Sequence, residues 1–171
     1  MYKKVPSSFC VAPFYRDGEE VYVDEGQDFI TRQLSYPFME DITAFTKPWQ
    51  VNTTEAIREL QRTFTCQKDR HLALFKEGKG KEIAHEQLVM KAFMLQSLYW
   101  LNGQRVKLTQ VAHDVHTFTH APLNAADRVL FVLHGQGDRG FVQLCSFMED
   151  LNKLNERVDL LKKLSKRGSQ L

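Results

Sequence analysis

The chain has little cysteine, and its cysteines do not form a disulfide framework or a metal site. Cys10, Cys66 and Cys145 are odd in number, stand far apart and form no Cys-x-x-Cys pair. Disulfide-stabilised domains and zinc ribbons need paired or closely spaced cysteines. We therefore expect free thiols in a reducing cytoplasm, with Cys145 as a small buried residue in a helix.

Long apolar runs and a strong charge of one sign are also absent. No stretch approaches the roughly 18 uninterrupted apolar residues of a membrane span, and no apolar stretch of a signal peptide follows the first two lysines. A formal net charge of +2 does not by itself indicate nucleic acid. Residues 1–50 are acidic and residues 51–110 basic, however, which indicates either complementarity within the fold or a weak patch for an anionic partner. We expect a cytoplasmic protein with no membrane partner.

Proline is scarce where the chain is most regular. Only Pro122 interrupts residues 49–171, and apolar side chains recur there at helical spacing. The composition, with 43% hydrophobic and 26% charged residues, is that of a globular protein. These features predict an all-α fold, in which residues 1–171 form one compact helical bundle.

The stretch from Glu86 to Gly103 is the most apolar of its length. It contains neither proline nor glycine before Gly103, and its apolar side chains cover more than one helical face. A helix that is apolar on several faces is surrounded by other helices. We therefore predict that this helix is the buried centre of the bundle.

The N-terminal part is predicted to be irregular and rich in aromatic residues. Residues 1–25 form an extended lead-in with at most one short strand at 21–23, for which no later segment offers a partner. Short helices are expected at 28–34 and 38–45. The aromatic side chains up to Trp49 are expected to cover the helical core, and a peptide-binding groove is the alternative.

Asparagines mark the predicted starts of two later helices. Asn52 precedes Glu55 by three residues and Asn124 precedes Asp127 by three, so both asparagines are expected to cap a helix with their side chains. The first of these helices is predicted to be followed by a separate short piece at 68–76.

The last predicted helix runs from Gly140 to Lys166. Apolar residues follow one another at spacings of three and four, which is typical of a helix that packs along another. Its end, residues 155–171, has a narrower apolar stripe and several lysines. This end is expected to project, to pack on a protein partner or to form a homodimer.

Two glycine-containing motifs invite a nucleotide-binding interpretation that the surrounding sequence does not support. Gly135–Gly140 reads GQGDRG, but the dinucleotide fingerprint requires a parallel sheet, and a single long helix follows here. Gly78–Lys81 reads GKGK, but Glu82 stands where a phosphate-binding loop needs serine or threonine. We interpret both motifs as turns between helices, and no cofactor is predicted.

Three histidines are the main candidate metal ligands. His113, His116 and His120 would share one face of a continuous helix, and imidazoles at that spacing can hold zinc or iron. Pro122 is expected to end the helix before His120, and no fourth ligand lies nearby. A metal-dependent hydrolase on this face is therefore an alternative that we do not favour.

The order of several landmarks resembles the YpoC-like family of Gram-positive bacteria. They run from about Pro37 to Leu154: Pro48-Trp49, Leu98–Gly103 (LYWLNG), Pro122–Asn124 with Arg128 and Phe131, and Phe141–Leu144. The resemblance implies a small, bacterial, cytoplasmic and helical protein. It implies no catalytic residues.

The same landmarks contain a candidate binding surface made by Trp49, Trp100, Arg105 and Arg128. The structural interpretation is a packed junction of helices, in which Arg128 pairs with an acidic group of the N-terminal segment. We expect a non-enzymatic protein-interaction or accessory module that acts through a protein partner or a homodimer. A nucleic-acid-associated accessory protein is the alternative, because the middle segment and the C-terminal end are basic.

Overall fold

The computed structural model describes residues 1–135 and 137–170, in which seven α-helices dominate. The helices are α1 Phe29–Ser35, α2 Met39–Thr43, α3 Thr53–Lys76, α4 Ala84–Leu101, α5 Val111–Thr117, α6 Ala125–His134 and α7 Gly137–Gly168. The predicted all-α bundle around a central helix is confirmed.

The predicted central helix corresponds to α4, which is the core of the molecule. From Val89 to Leu101 every residue except Lys91 is buried. Helices α3 and α7 pack against it, and one hydrophobic cluster extends from Val5 through α4 to Val158. A helix that is apolar on every face can be covered in this way only from several sides.

Helix α3 is continuous, so the prediction of two pieces was wrong. The polar residues Thr65, Cys66 and Gln67 interrupt the apolar pattern, but they lie on the exposed or half-buried side of an unbroken helix. A change of polarity without proline or glycine alters which face is buried and does not end a helix.

The expected side-chain caps at Asn52 and Asn124 were also wrong. Both residues adopt left-handed backbone conformations, with φ of 52° and 56°, and neither side chain bonds to the helix that follows. Asparagine tolerates this conformation better than most residues, so these positions act through the backbone. At Asp28 the side chain does cap α1, because it accepts a hydrogen bond from the Thr31 backbone N–H at 2.9 Å.

The N-terminal segment contains a small sheet, which was not predicted because only later segments were considered as partners for its strand. Strand β1, Tyr2–Lys4, pairs antiparallel with β2, Glu20–Tyr22, so that Lys3 lies opposite Val21. The partner precedes the predicted strand instead of following it. Val21 is fully buried, and the sheet thereby joins the lead-in to the core.

A buried carboxylate fastens the segment around α2 to α4. Asp41 accepts hydrogen bonds from Gln96 Nε2 at 2.8 Å, from Trp100 Nε1 at 3.2 Å and from the Val106 backbone N–H at 2.9 Å. Asp41 and both α4 side chains are fully buried. Since unpaired polar atoms in a core cost free energy, the three donors and the carboxylate depend on one another.

A second buried pair joins α1 to α2. The Arg32 guanidinium donates to Glu40 Oε1 from Nε at 2.9 Å and from Nη2 at 2.7 Å, while Thr46 donates to Oε2 from its N–H and its hydroxyl. Arg32 is 4% exposed and Glu40 0% exposed. A buried ion pair that lost one partner would leave a buried charge, so these residues fix the path of the chain between α1 and α2.

We expect the buried Asp41 to make stability depend on pH in a way that Asp41→Asn removes. Burial raises the pKa of Asp41 to about 6, above its value in the unfolded chain. Its contribution to stability is therefore fully present below the unfolded pKa and is lost as the pH rises through about 6.

Between pH 7 and pH 4.5 the free energy of unfolding of the wild type should rise by about 2 kcal/mol relative to that of Asp41→Asn. Urea denaturation of both proteins at the two pH values measures this difference. If the free energies of unfolding of the wild type and Asp41→Asn differed by the same amount at pH 7 and at pH 4.5, the prediction would be contradicted.

Candidate interaction surface

The C-terminal helix lies antiparallel to α3 along most of its length. Asn155 Nδ2 donates to the Thr54 carbonyl at 3.2 Å, and the Arg58 guanidinium contacts Glu156 at 2.7 Å and Asp159 at 3.1 Å. At the other end of the pair the rings of Phe75 and Phe141 lie 5.5 Å apart, between their centroids.

Helix α7 continues beyond the point at which α3 begins. Every residue from Leu160 to Gln170 is exposed. Leu161 continues the face that carries Leu154 and Val158, which are half-buried and buried respectively. The apolar pattern of α7 continues past Val158, but α3 does not extend far enough to cover it.

Three leucines form an exposed apolar face on this projecting end. Leu160, Leu161 and Leu164 are 57%, 55% and 52% exposed. At 100° per residue they lie within about one third of the helix circumference, so they form one continuous surface. We call these residues the leucine face. Leu160 and Leu164 are not part of the predicted apolar series, which ends at Leu161, and no sequence pattern shows that α3 begins too late to cover them.

The balance of charge differs on the two sides of the leucine face, since acidic residues lie only on its N-terminal side, where Arg157 accompanies them. Glu156 and Asp159 precede it, and ion pairs lower the pKa of both carboxyl groups, chiefly with Arg58 for Glu156 and with Lys163 for Asp159. Lys162 and Lys163 lie between the leucines of the face, and Lys166 and Arg167 follow it. No acidic residue lies beyond Asp159. This end of the helix therefore changes from mixed charge before Leu160 to basic charge after it.

The structure places the four residues of the predicted binding surface in different environments. Trp100 is fully buried against Asp41. Trp49 is half-buried, and the Arg105 guanidinium lies 5.9 Å from its ring centroid and 5.7 Å from that of Phe9. Trp49 and Arg105 are thus brought together, whereas Trp100 offers no surface.

Arg128 has contacts of another kind. Its guanidinium donates to Asp150 at 2.8 Å and to Ser146 at 3.2 Å, and it lies 4.9 Å from the Phe147 ring centroid. The expectation that Arg128 pairs with an acidic group of the N-terminal segment was wrong, since its partner Asp150 belongs to α7. Its contacts join α6 to α7.

The histidines are not held on one helical face. His113 and His116 are exposed on α5, which ends at Thr117, and His120 lies in the following loop. The His120 backbone forms two hydrogen bonds with the Asn102 side chain, which join the loop to the end of α4. Among residues 1–135 and 137–170, no group of three or more histidine, cysteine, aspartate or glutamate side chains is arranged to hold a metal.

Part of the basic charge of residues 51–110 is paired. Arg58 contacts α7, Arg62 contacts Glu55 at 2.8 Å, and Lys68 lies 3.7 Å from Glu149. The uneven charge along the sequence therefore reflects in part contacts between α3 and α7. In the described part of the chain, no helix is both long and apolar enough to cross a membrane.

Residues 54–163 match a family model whose description is YpoC-like protein. The chain belongs to the YpoC-like family. The match covers α3 to α6 and most of α7, including Trp100, Arg105, Arg128 and the first two residues of the leucine face. It begins later than the resemblance in the sequence indicated, so Trp49 lies outside it. No curated protein and no solved structure matches the chain.

We expect amide hydrogen exchange to show a sharp boundary in α7 at low protein concentration. Amides from Phe141 to Val158 should be strongly protected because this half packs on the core, whereas those from Leu160 to Gly168 should exchange faster by orders of magnitude. Mass spectrometry of overlapping peptides measures the boundary. Uniform protection along α7 would contradict it.

Proposed function

We propose that this YpoC-like protein is a non-enzymatic protein-interaction or accessory module that self-associates through the leucine face. The observation that carries the proposal is that the apolar face of α7 continues past its internal partner α3. An exposed apolar surface on a projecting helix is a site at which another helix can pack. A second copy of the same helix has the required shape and apolar pattern.

The charge distribution favours an antiparallel arrangement of the two copies. In a parallel pair the basic segment after Leu161 would face its own copy. In an antiparallel pair, Lys166 and Arg167 of one protomer approach Glu156 of its partner, and Lys163 approaches Asp159. Opposite charges on either side of an apolar seam determine orientation in paired helices. Such a contact is isologous, so that it closes as a dimer.

The size of the leucine face supports a weak interface. Three leucines from each copy bury less surface than a stable obligate dimer does. We therefore infer a dimer that forms reversibly in the micromolar range of protein concentration. A weak homodimer of this kind can dissociate, so that the leucine face becomes free to bind a similar helix of a partner protein.

We infer a cytoplasmic location from the state of the thiols. Cys66 is an exposed free cysteine, and Cys10 and Cys145 are free and half-buried. A reducing compartment is where such thiols persist. Partial burial raises the pKa of Cys145 to about 11, so this thiol is protonated and unreactive at neutral pH.

Nucleic acid is the second candidate partner for the same end of α7. The basic residues after Leu161 would contact phosphates and make binding weaken steeply with salt. The leucines have no role in that mode, which is why we favour self-association. The two modes also differ in how they respond to salt and to leucine substitutions.

Substitution of the leucine face should abolish self-association. Leu161→Glu and Leu164→Glu place a charge in the seam, so we expect a monomer under conditions in which the wild type shows a concentration-dependent increase in mass. Val142→Glu is the matched control, since Val142 lies on the first half of α7 and is 56% exposed. Sedimentation at several concentrations measures the mass of each variant.

A wild type that stays monomeric at several hundred micromolar (~10⁻⁴ M, where a weak interface of this class is populated) would contradict self-association. Equal loss of association in Val142→Glu would contradict the location. Salt-sensitive retention on DNA or RNA that survives Leu164→Glu would instead favour the nucleic-acid mode.

Disulfide trapping tests the orientation of the two helices. In a background without native cysteines, Leu161→Cys should form a disulfide with itself across the dimer, because residue 161 lies near the centre of an antiparallel seam. Gln170→Cys should not, because the two copies of residue 170 would lie at opposite ends of the seam, far beyond disulfide distance. Efficient cross-linking at both positions would indicate a parallel dimer.

A further inference from the structure

The two glycine-containing connections meet at the end of the bundle opposite the leucine face and border one cavity. The connection between α3 and α4 contributes Gly78, Gly80 and Lys81, while Gly135 after α6 and Gly137 and Gly140 at the start of α7 contribute from the other side. The cavity has a volume of about 660 Å³. This is within the size range of sites for small molecules.

Helix α4 provides the polar floor of the cavity. Ala84, Gln87 and Lys91 all line it, and their spacing of three and four residues places them on one face. Phe75, Phe141 and Leu144 form its apolar walls. The cavity therefore combines an apolar surface with two polar side chains of α4, those of Gln87 and Lys91.

Lys91 is the residue that most clearly lacks a partner in this arrangement. It is half-buried and is the only residue of α4 between Val89 and Leu101 that is not fully buried. Among the described residues, no carboxylate forms a salt bridge with it. Burial alone lowers the pKa of Lys91, and no neighbouring charge contributes. An anion beside its ammonium group would offset the cost of desolvation.

A hydrogen bond to a buried histidine holds the Gln87 side chain in place. Its Nε2 lies 2.7 Å from Nδ1 of His71, whose ring is fully buried and packs on Phe141. Burial lowers the pKa of His71, so the neutral ring can accept the hydrogen bond from Gln87. The amide is thereby fixed as a polar group of the cavity.

The charged side chains that line the cavity give it a net positive charge. Lys81 lines it from the first connection and Asp138 from the first turn of α7, and both are exposed. One exposed lysine and one exposed aspartate offset each other, which leaves the ammonium group of Lys91.

We propose that this cavity binds a small organic anion, in which an acidic group pairs with Lys91 and Gln87 and an apolar body packs on Phe75, Phe141 and Leu144. The acidic group is a carboxylate or a phosphate monoester. The site is independent of the leucine face, since the two lie at opposite ends of the α3–α7 pair.

Titration calorimetry with defined probes tests the proposal. The probes are benzoate, phenyl phosphate, inorganic phosphate and benzyl alcohol. We expect the aromatic anions to bind more tightly than benzyl alcohol or inorganic phosphate. Tighter binding of benzoate assigns a carboxylate ligand, and tighter binding of phenyl phosphate assigns a phosphate ester. No binding of either aromatic anion at millimolar concentration, or equal binding of inorganic phosphate, would overturn the proposal.

Two substitutions separate the roles of charge and space. Lys91→Met keeps the length of the side chain and should weaken binding of the preferred anion by about tenfold or more, with little effect on benzyl alcohol. Lys107→Met is the matched control at an exposed lysine outside the cavity. Ala84→Phe, at an exposed lining position, should fill the cavity and reduce binding of every probe.

A measurement on the unaltered chain makes the test independent of folding of the variants. NMR titration of the Lys91 side chain should show that its pKa rises when the preferred anion is added. Binding that leaves this pKa unchanged, or that is as tight in folded Lys91→Met as in the wild type, would overturn the assignment of Lys91.

Discussion

The contact between the Asp41 carboxylate and α4 is the constraint on which the fold depends. A central helix that is buried on every side needs internal acceptors for the N–H groups of Gln96 and Trp100, and Asp41 accepts from both. It also accepts from the Val106 N–H, so one side chain joins α2, α4 and the segment after α4. Burying the carboxylate is costly, as its raised pKa shows, and the three hydrogen bonds offset part of this cost. The arrangement thus favours one path for the N-terminal segment.

The two surfaces proposed for binding lie at opposite ends of the α3–α7 pair. At one end α7 extends beyond α3, and the leucine face is exposed there. At the other end two connections leave a cavity beside Lys91. Along α7 the distance from Leu144 to Leu160 is about 24 Å. The two surfaces share no side chain, so a change at one need not alter the other.

The elements that could be predicted from sequence are those whose residues determine them locally. The α4 pattern is apolar on all faces, and the α7 pattern is regular over many turns, so both helices were found. The partner of β2 and the acceptor for Trp100 come from distant parts of the chain, which spacing does not reveal. Asparagine is common both at helix caps that use its side chain and at positions with a left-handed backbone. The sequence therefore cannot show which of these roles Asn52 and Asn124 have. The exposure of Leu161 depends on where α3 begins, and the cavity depends on which two connections meet.

The glycines of Gly135–Gly140 show how one residue type can satisfy a packing requirement and create a surface. A Cβ atom at Gly135 would lie 2.5 Å from the Phe131 carbonyl oxygen, and one at Gly140 would lie 3.3 Å from the Gly135 backbone. At Gly80 a Cβ atom would lie 2.7 Å from the Phe75 ring. A side chain at Gly135 or Gly80 would therefore force its neighbours to shift, and one at Gly140 would be tightly packed. The same lack of side chains leaves the space above α4 unfilled. Local resemblance to a nucleotide motif thus arises from packing, and the chemistry of the cavity is determined by Lys91 and Gln87, which belong to neither motif.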